Sequence, residues 1–216
     1  MKTSLISPTA LVLLTGLLAI PAAHATIISV TSTPPGQGVI IAAPALIGNF
    51  DSTNNTAQQG FNERQGVLLI GPLAADSGLI GSAGVRVDSH MIFFNRSGSG
   101  DLTTIATWTF SGTILGVMSD INGTLEAATS GFLGSPTTLG YPAPGGFTSR
   151  GMESDDSYSG VGTTSLTVTM KINQPGDWIR VITVSNVPDG GHTAVLLLTA
   201  LLGLPVLRRV LRTAKR

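Results

Sequence analysis

The sequence predicts an all-β body, an antiparallel β-sandwich or jelly roll, flanked by an N-terminal signal peptide and a short C-terminal transmembrane helix. Three observations predict it. Ser165 to Ile172 reads SLTVTMKI, in which Leu166, Val168, Met170 and Ile172 alternate with polar neighbours at period two, the pattern of a strand with one buried face. An apolar run stands near each end of the chain, one behind a lysine and one ahead of an arginine cluster. Between them short β-branched segments are separated by Gly, Pro, Ser, Asn and Asp, with no helical periodicity across 10 residues or more.

Taken in order, Lys2 precedes the apolar stretch Ala10 to Ile20, Pro21 ends it, and Ala23-His24-Ala25 has the small-x-small form of a signal peptidase site. Eleven residues are too few to span a bilayer core of about 30 Å. Residues 1–25 are therefore expected to leave on export, with Ala23 and Ala25 in the peptidase pockets and the mature chain beginning near Thr26. The body, 26–186, should carry strands at Val39 to Ile41, Gly66 to Gly71, Gly84 to Asn95 and Thr103 to Val117. Ser130 to Ser159, with Pro136, Pro142, Pro144, Gly145 and Gly146, reads as a long loop or irregular edge. Ser165 to Ile172 and Trp178 to Val187 flank Pro175-Gly176, which suit the centre of a type II turn, so the two are expected to pair as a hairpin.

The remaining residues, 187–216, form a tail in three parts. Val187-Pro188-Asp189-Gly190-Gly191 comes first, then the apolar segment Ala194 to Leu207, then a basic end, 208–216, containing Arg208, Arg209, Arg212, Lys215 and Arg216. Fourteen apolar residues make a helix of about 21 Å at about 1.5 Å per residue, short for a permanent anchor but sufficient for a transient stop-transfer segment held by Arg208, Arg209 and Arg212. A glycosylphosphatidylinositol signal ends in apolar residues, and this basic end argues against one.

That order of motif, apolar helix and arginine-rich end resembles the PEP-CTERM class of sorting signals, in its VPDSG variety, with Gly190 where that variety usually has serine. The resemblance implies handling by an exosortase, a membrane-embedded cysteine transpeptidase of Gram-negative bacteria. It also implies a route: export through the inner membrane, transient anchoring by the tail helix, then release to the cell surface or exopolysaccharide matrix. The expected partners are signal peptidase, the exosortase and extracellular polysaccharide. Three body segments, Phe61 to Val67, Arg86 to Met91 and Pro175 to Arg180, are similar to domains of other PEP-CTERM proteins, which implies a secreted β domain and no particular chemistry.

Composition narrows the chemistry further. Without cysteine there are no disulfides, thiol nucleophiles, zinc-thiolate sites or Fe–S clusters. Outside Lys2 and the basic end, six cations stand against twelve acids, a net charge of −6, and an acidic body does not bind nucleic acid through its phosphates. Loss of the signal peptide and tail leaves His90 as the body's single histidine, so no multi-histidine metal site can form. Asp88-Ser89-His90 is not expected to be a triad, because neighbours on a strand face opposite ways and no G-x-S-x-G elbow occurs.

Oxygen ligands remain. Asp120, Asn122 and Glu126 surround a glycine turn, and Glu153, Asp155 and Asp156 form the densest acidic cluster; both are weak calcium candidates without full EF-hand spacing, and a solvated turn is the simpler reading of each. Trp108 and Phe110 share a strand face and should pack in the core, whereas Tyr141 and Tyr158 sit in loop-like sequence where they could stack on sugars. The expected function is that of an exported structural or binding protein of the surface or matrix, without catalysis and without a required cofactor. The alternative is a secreted polysaccharide-active enzyme working through paired carboxylates, which requires two acids converging in a cleft.

Overall fold

Alternation at period two does what it predicts: strand β11 (Ser165–Ile172) buries Leu166, Val168, Met170 and Ile172 and leaves the residues between them half-buried. The computed structural model describes residues 24–47, 55–96, 100–138, 140–141, 151–172 and 176–186. All of them belong to one compact unit, His24–Asn186. The signal run with Ala23, the motif Val187 to Gly191, the tail helix and the basic end lie outside the described residues.

Two sheets face each other. The first has the order β1 (Ile27–Ser32), β8 (Leu102–Phe110), β11, β10 (Ser157–Ser159). In the second the order is β2 (Gly38–Ile40), β3 (Gln58–Asn62), β7 (Arg86–Phe94), β12 (Asp177–Val184), β9 (Ile114–Met118), with β4 (Val67–Leu68) also on β7. A small hairpin, β5 (Leu73–Ala75) with β6 (Gly78–Ile80), belongs to neither ladder but packs on the second sheet, its Leu73, Ala75 and Ile80 against Val87, Met118 and Ile182. Every pairing is antiparallel except β2 with β3. The main core lies between the sheets, where Trp108, Phe110, Leu166 and Val168 of one meet Ile92, Phe94, Ile179 and Val181 of the other.

One close approach fixes how the sheets meet. Gly60 on β3 lies against the ring of Trp108 on β8, and a side chain there would overlap the indole. Next to it Gln58 joins three strands: its Oε1 accepts from Trp108 Nε1 at 3.0 Å, and its Nε2 donates to Thr104 Oγ1 and to the Val168 carbonyl. A buried indole N–H and a buried amide are satisfied by each other.

The structure departs from the sequence reading in three places. The expected hairpin does not form: β11 pairs with β8 over eight residues, β12 pairs with β7 over eight, and the chain passes from one sheet to the other between Ile172 and Asp177. The cause is burial on both faces of β12, since a strand enclosed from Asp177 to Thr183 needs a partner on each edge, which β7 and β9 supply. Gly176 allows the crossover by approaching the backbone of Phe94 and Asn95 more closely than any Cβ would permit.

The expected strand from Thr103 to Val117 is likewise two, β8 and β9, which belong to different sheets. The third departure is a helix, α1 (Thr124–Leu133), where helical signals seemed absent and where the loop from Ser130 was expected to begin. Its start is held by the Asp120 carboxylate, which accepts from the N–H groups of Thr124 and Leu125 at 2.8 Å each. Its inner side buries Glu126, Thr129 and Leu133.

Candidate functional site

The first set of oxygen ligands does not assemble. Asp120 spends its carboxylate on the helix start, Asn122 is exposed in the preceding turn, and Glu126 points inward from the first turn of α1. What Glu126 meets is Arg180 of β12, the only charged side chain with a guanidinium in the described core.

Arg180 is 0% exposed and makes a two-bond fork with Glu63: Nε donates to Oε2 at 2.7 Å and Nη2 to Oε1 at 2.8 Å. Its remaining N–H groups go to the Glu126 backbone carbonyl, Thr129 Oγ1, Ser130 Oγ and Glu126 Oε1. Ser89 Oγ adds a bond to Glu63 at 2.6 Å, and the Tyr141 ring covers the guanidinium at 5.5 Å. Burial, followed by the Glu63 charge, pushes the Tyr141 phenol upward. The planar, always charged guanidinium suits this role because it satisfies two carboxylates and a carbonyl at once. Glu63, Ser89 and Arg180 come from three separate body segments, which the fold draws into one interior network. Two acids do converge here, Glu63 and Glu126, but both are enclosed and bonded to a cation.

Asp88, Ser89 and His90 are parted by the strand that carries them. His90 is buried, with Nδ1 at 2.8 Å from Asn62 Oδ1 and Nε2 at 3.0 Å from Thr183 Oγ1, and touches neither neighbour's side chain. Complete burial pushes its imidazole down to about 3. Asp88, two residues back along β7, has a carboxylate that accepts from the backbone N–H groups of Ala25 and Gly66 and lies 3.8 Å from His24 Nδ1. Ala25, expected to leave with the signal peptide, is itself 0% exposed in this contact.

The second acidic set does assemble. One carboxylate oxygen from each of Glu153, Asp155 and Asp156 lies within 4.8 Å of the others. Asp156 is fixed by two backbone donors, Lys171 N–H to Oδ1 and Glu153 N–H to Oδ2, each at 2.7 Å, although burial still raises its carboxyl. Asp155 is held by Lys171 Nζ at 3.0 Å, which lowers its carboxyl, and Lys171 also reaches Asp101 at 3.2 Å.

A fourth acid stands beside these three. Asp177 opens β12, is 1% exposed, and its Oδ2 has no hydrogen-bond partner. Burial first, then the charges of Asp156, Glu153 and Asp155, push its carboxyl up to about 10. The only signal in the sequence was an acid placed directly before a strand rich in Trp, Ile and Val.

Beside this cluster runs an open groove of about 660 Å³, lined among others by Asp76, Asp120, Glu153, Asp156 and Tyr158. Asp76 is engaged by Ser119 and by the Tyr158 hydroxyl, and burial with that carboxylate pushes the phenol up to about 12. Of the aromatic side chains, Trp108, Phe110 and Trp178 are core residues, Tyr141 is half-buried over Arg180, and Tyr158 borders the groove. No helix among the described residues is long and apolar enough to cross a membrane. Comparison with family models, with curated proteins and with solved structures finds no match for this chain.

Proposed function

We propose that this chain is an exported, non-catalytic β-sandwich protein, delivered by an exosortase to the cell surface or extracellular polysaccharide matrix of a Gram-negative bacterium, where it serves a structural or binding role. The observation that carries the reading is the order of the tail: Val187 to Gly191, an apolar segment too short for lasting anchorage, and Arg208, Arg209 and Arg212 at its end. Positive charge holds the basic end in the cytoplasm and so puts the motif at the outer face of the inner membrane. The nucleophile belongs to the exosortase. The body supports a passive role, because its convergent acids Glu63 and Glu126 are enclosed on Arg180 rather than set in a cleft.

The test is Pro188→Ala combined with Asp189→Ala. Unprocessed chain, heavier by the retained tail, should accumulate in the inner membrane while export of the body across it continues. Arrival of the double variant at the surface with normal mass and yield refutes the sorting role. The groove beside Tyr158 favours a second reading, a polysaccharide-active enzyme using Glu153 or Asp156. Release of reducing sugar that Glu153→Gln abolishes supports it; absence of release by the unaltered protein from acidic and neutral polysaccharides counts against it.

A further inference from the structure

We propose that Glu153, Asp155, Asp156 and Asp177 form a calcium site that ties the two sheets together where the chain crosses from β11 to β12. The spacing fits. Calcium binds oxygen at about 2.3 to 2.6 Å, so two ligands on opposite sides of one ion are at most about 5 Å apart. The three loop carboxylates already lie within 4.8 Å of one another. The donor set is all oxygen, without histidine or thiolate, which suits a hard cation and not zinc or copper.

Asp177 is what separates this cluster from ordinary surface acids. Its side chain is enclosed and Oδ2 accepts no hydrogen bond, so that oxygen is open to a proton or to a cation. Along β12 it shares a face with Ile179 and Val181, which pack against β11 in the intersheet core. The N–H of Lys171 on β11 fixes Asp156 on that same side. An ion held between Asp177 and the 153–156 loop therefore joins the first residue of β12, in one sheet, to a loop bonded to β11, in the other. Lys171 Nζ occupies one oxygen of Asp155 and positions the other, while water fills the coordination the four residues leave open.

A site of few carboxylates on a surface loop is in the affinity class of extracellular modules, with Kd roughly 10⁻⁴ to 10⁻³ M. Calcium at that level fills it outside the cell and not in the cytoplasm. This timing rests on the export reading; the site does not. The experiment uses the full chain, freed of cations with a chelator and titrated with calcium or magnesium alone, followed by calorimetry and by the melting midpoint. Calcium should bind once per chain, raise the midpoint, and bind at least about tenfold more tightly than magnesium. Asp177→Asn and Asp155→Asn should each weaken calcium by about tenfold or more. Asp155 is exposed, so its variant decides the matter where Asp177→Asn fails to fold. No binding and no midpoint shift at about 5 mM calcium, or calcium binding unchanged in the folded variants, overturns the site. Either result leaves the Pro188 and Asp189 test of sorting untouched.

Discussion

Replacing Arg180 by Met removes the one cation among Glu63, Glu126 and their hydroxyl partners while keeping most of the side-chain volume. Both carboxylates are almost wholly enclosed, at 0% and 1% side-chain exposure, so neither can recover its hydration without opening the fold. Breaking a buried pair by removing one partner costs about 3 to 5 kcal/mol, mostly as the penalty of the charge left behind. With two such carboxylates the upper part of that range is expected. In urea, at about 2 kcal/mol per molar, the unfolding midpoint should fall by roughly 2 M, and the melting temperature by roughly 8 to 20 °C. The triple variant Arg180→Met, Glu63→Gln, Glu126→Gln separates stranded charge from lost contact: without uncompensated charge it should regain more than half of the loss. Refutation comes from a single variant within about 1 kcal/mol of the parent, or a triple variant no more stable than the single.

Acid should destabilise the body through His90. The native imidazole, pushed down to about 3 from an ordinary 6.5, stays neutral while the unfolded one takes up a proton. The His90 contribution is therefore full above pH 6.5 and falls by about 1.4 kcal/mol per unit as pH drops towards 3, to a total near 5 kcal/mol; the difference between the urea-midpoint profiles of the parent and His90→Gln should show that slope. A chain beginning at Thr26 lacks the Ala25 N–H that Asp88 accepts and should unfold about 1 to 3 kcal/mol more readily than one beginning at His24, measured by chemical denaturation. Leu166→Asp, which puts an unpaired charge at a fully enclosed position between the sheets, should yield little folded protein, seen as loss of the two-state urea transition.

How much of this was legible depends on whether the determining contact was local. β11 could be read because a strand half-buried along its whole length writes its burial into alternate residues. The extent of β12 was legible for a related reason, but its partners were not: enclosed on both faces, it offers no alternation to mark a side, and Pro175-Gly176 fits a tight turn as well as it fits a crossover. Helix α1 went unread because TLEAATSGFL mixes good helix formers with Thr, Ser and Gly, and because its cap, Asp120, stands four residues before the first helical residue. Arg180 lies 117 residues from Glu63 and 54 from Glu126, and no periodicity reports a pairing across such intervals. Asp177 is the same case at shorter range, placed beside the 153–156 loop only by the crossing into β12.

The position of β12 has a mechanical consequence. It is the last described strand, ending at Val184 two residues before Asn186, yet it lies in the interior of its sheet with β7 on one edge and β9 on the other. Anything that holds the chain by residues beyond Asn186 therefore pulls on a strand gripped from both sides. Its hydrogen bonds to β7, in register from Asp177 opposite Phe94 to Val184 opposite Val87, run across the direction of pull. Tension along the strand is then shared among them in shear, whereas a strand peeled from a sheet edge gives up its bonds one after another. A pull from this end therefore loads the whole β12 ladder together, and the ladder yields by losing β12 all at once.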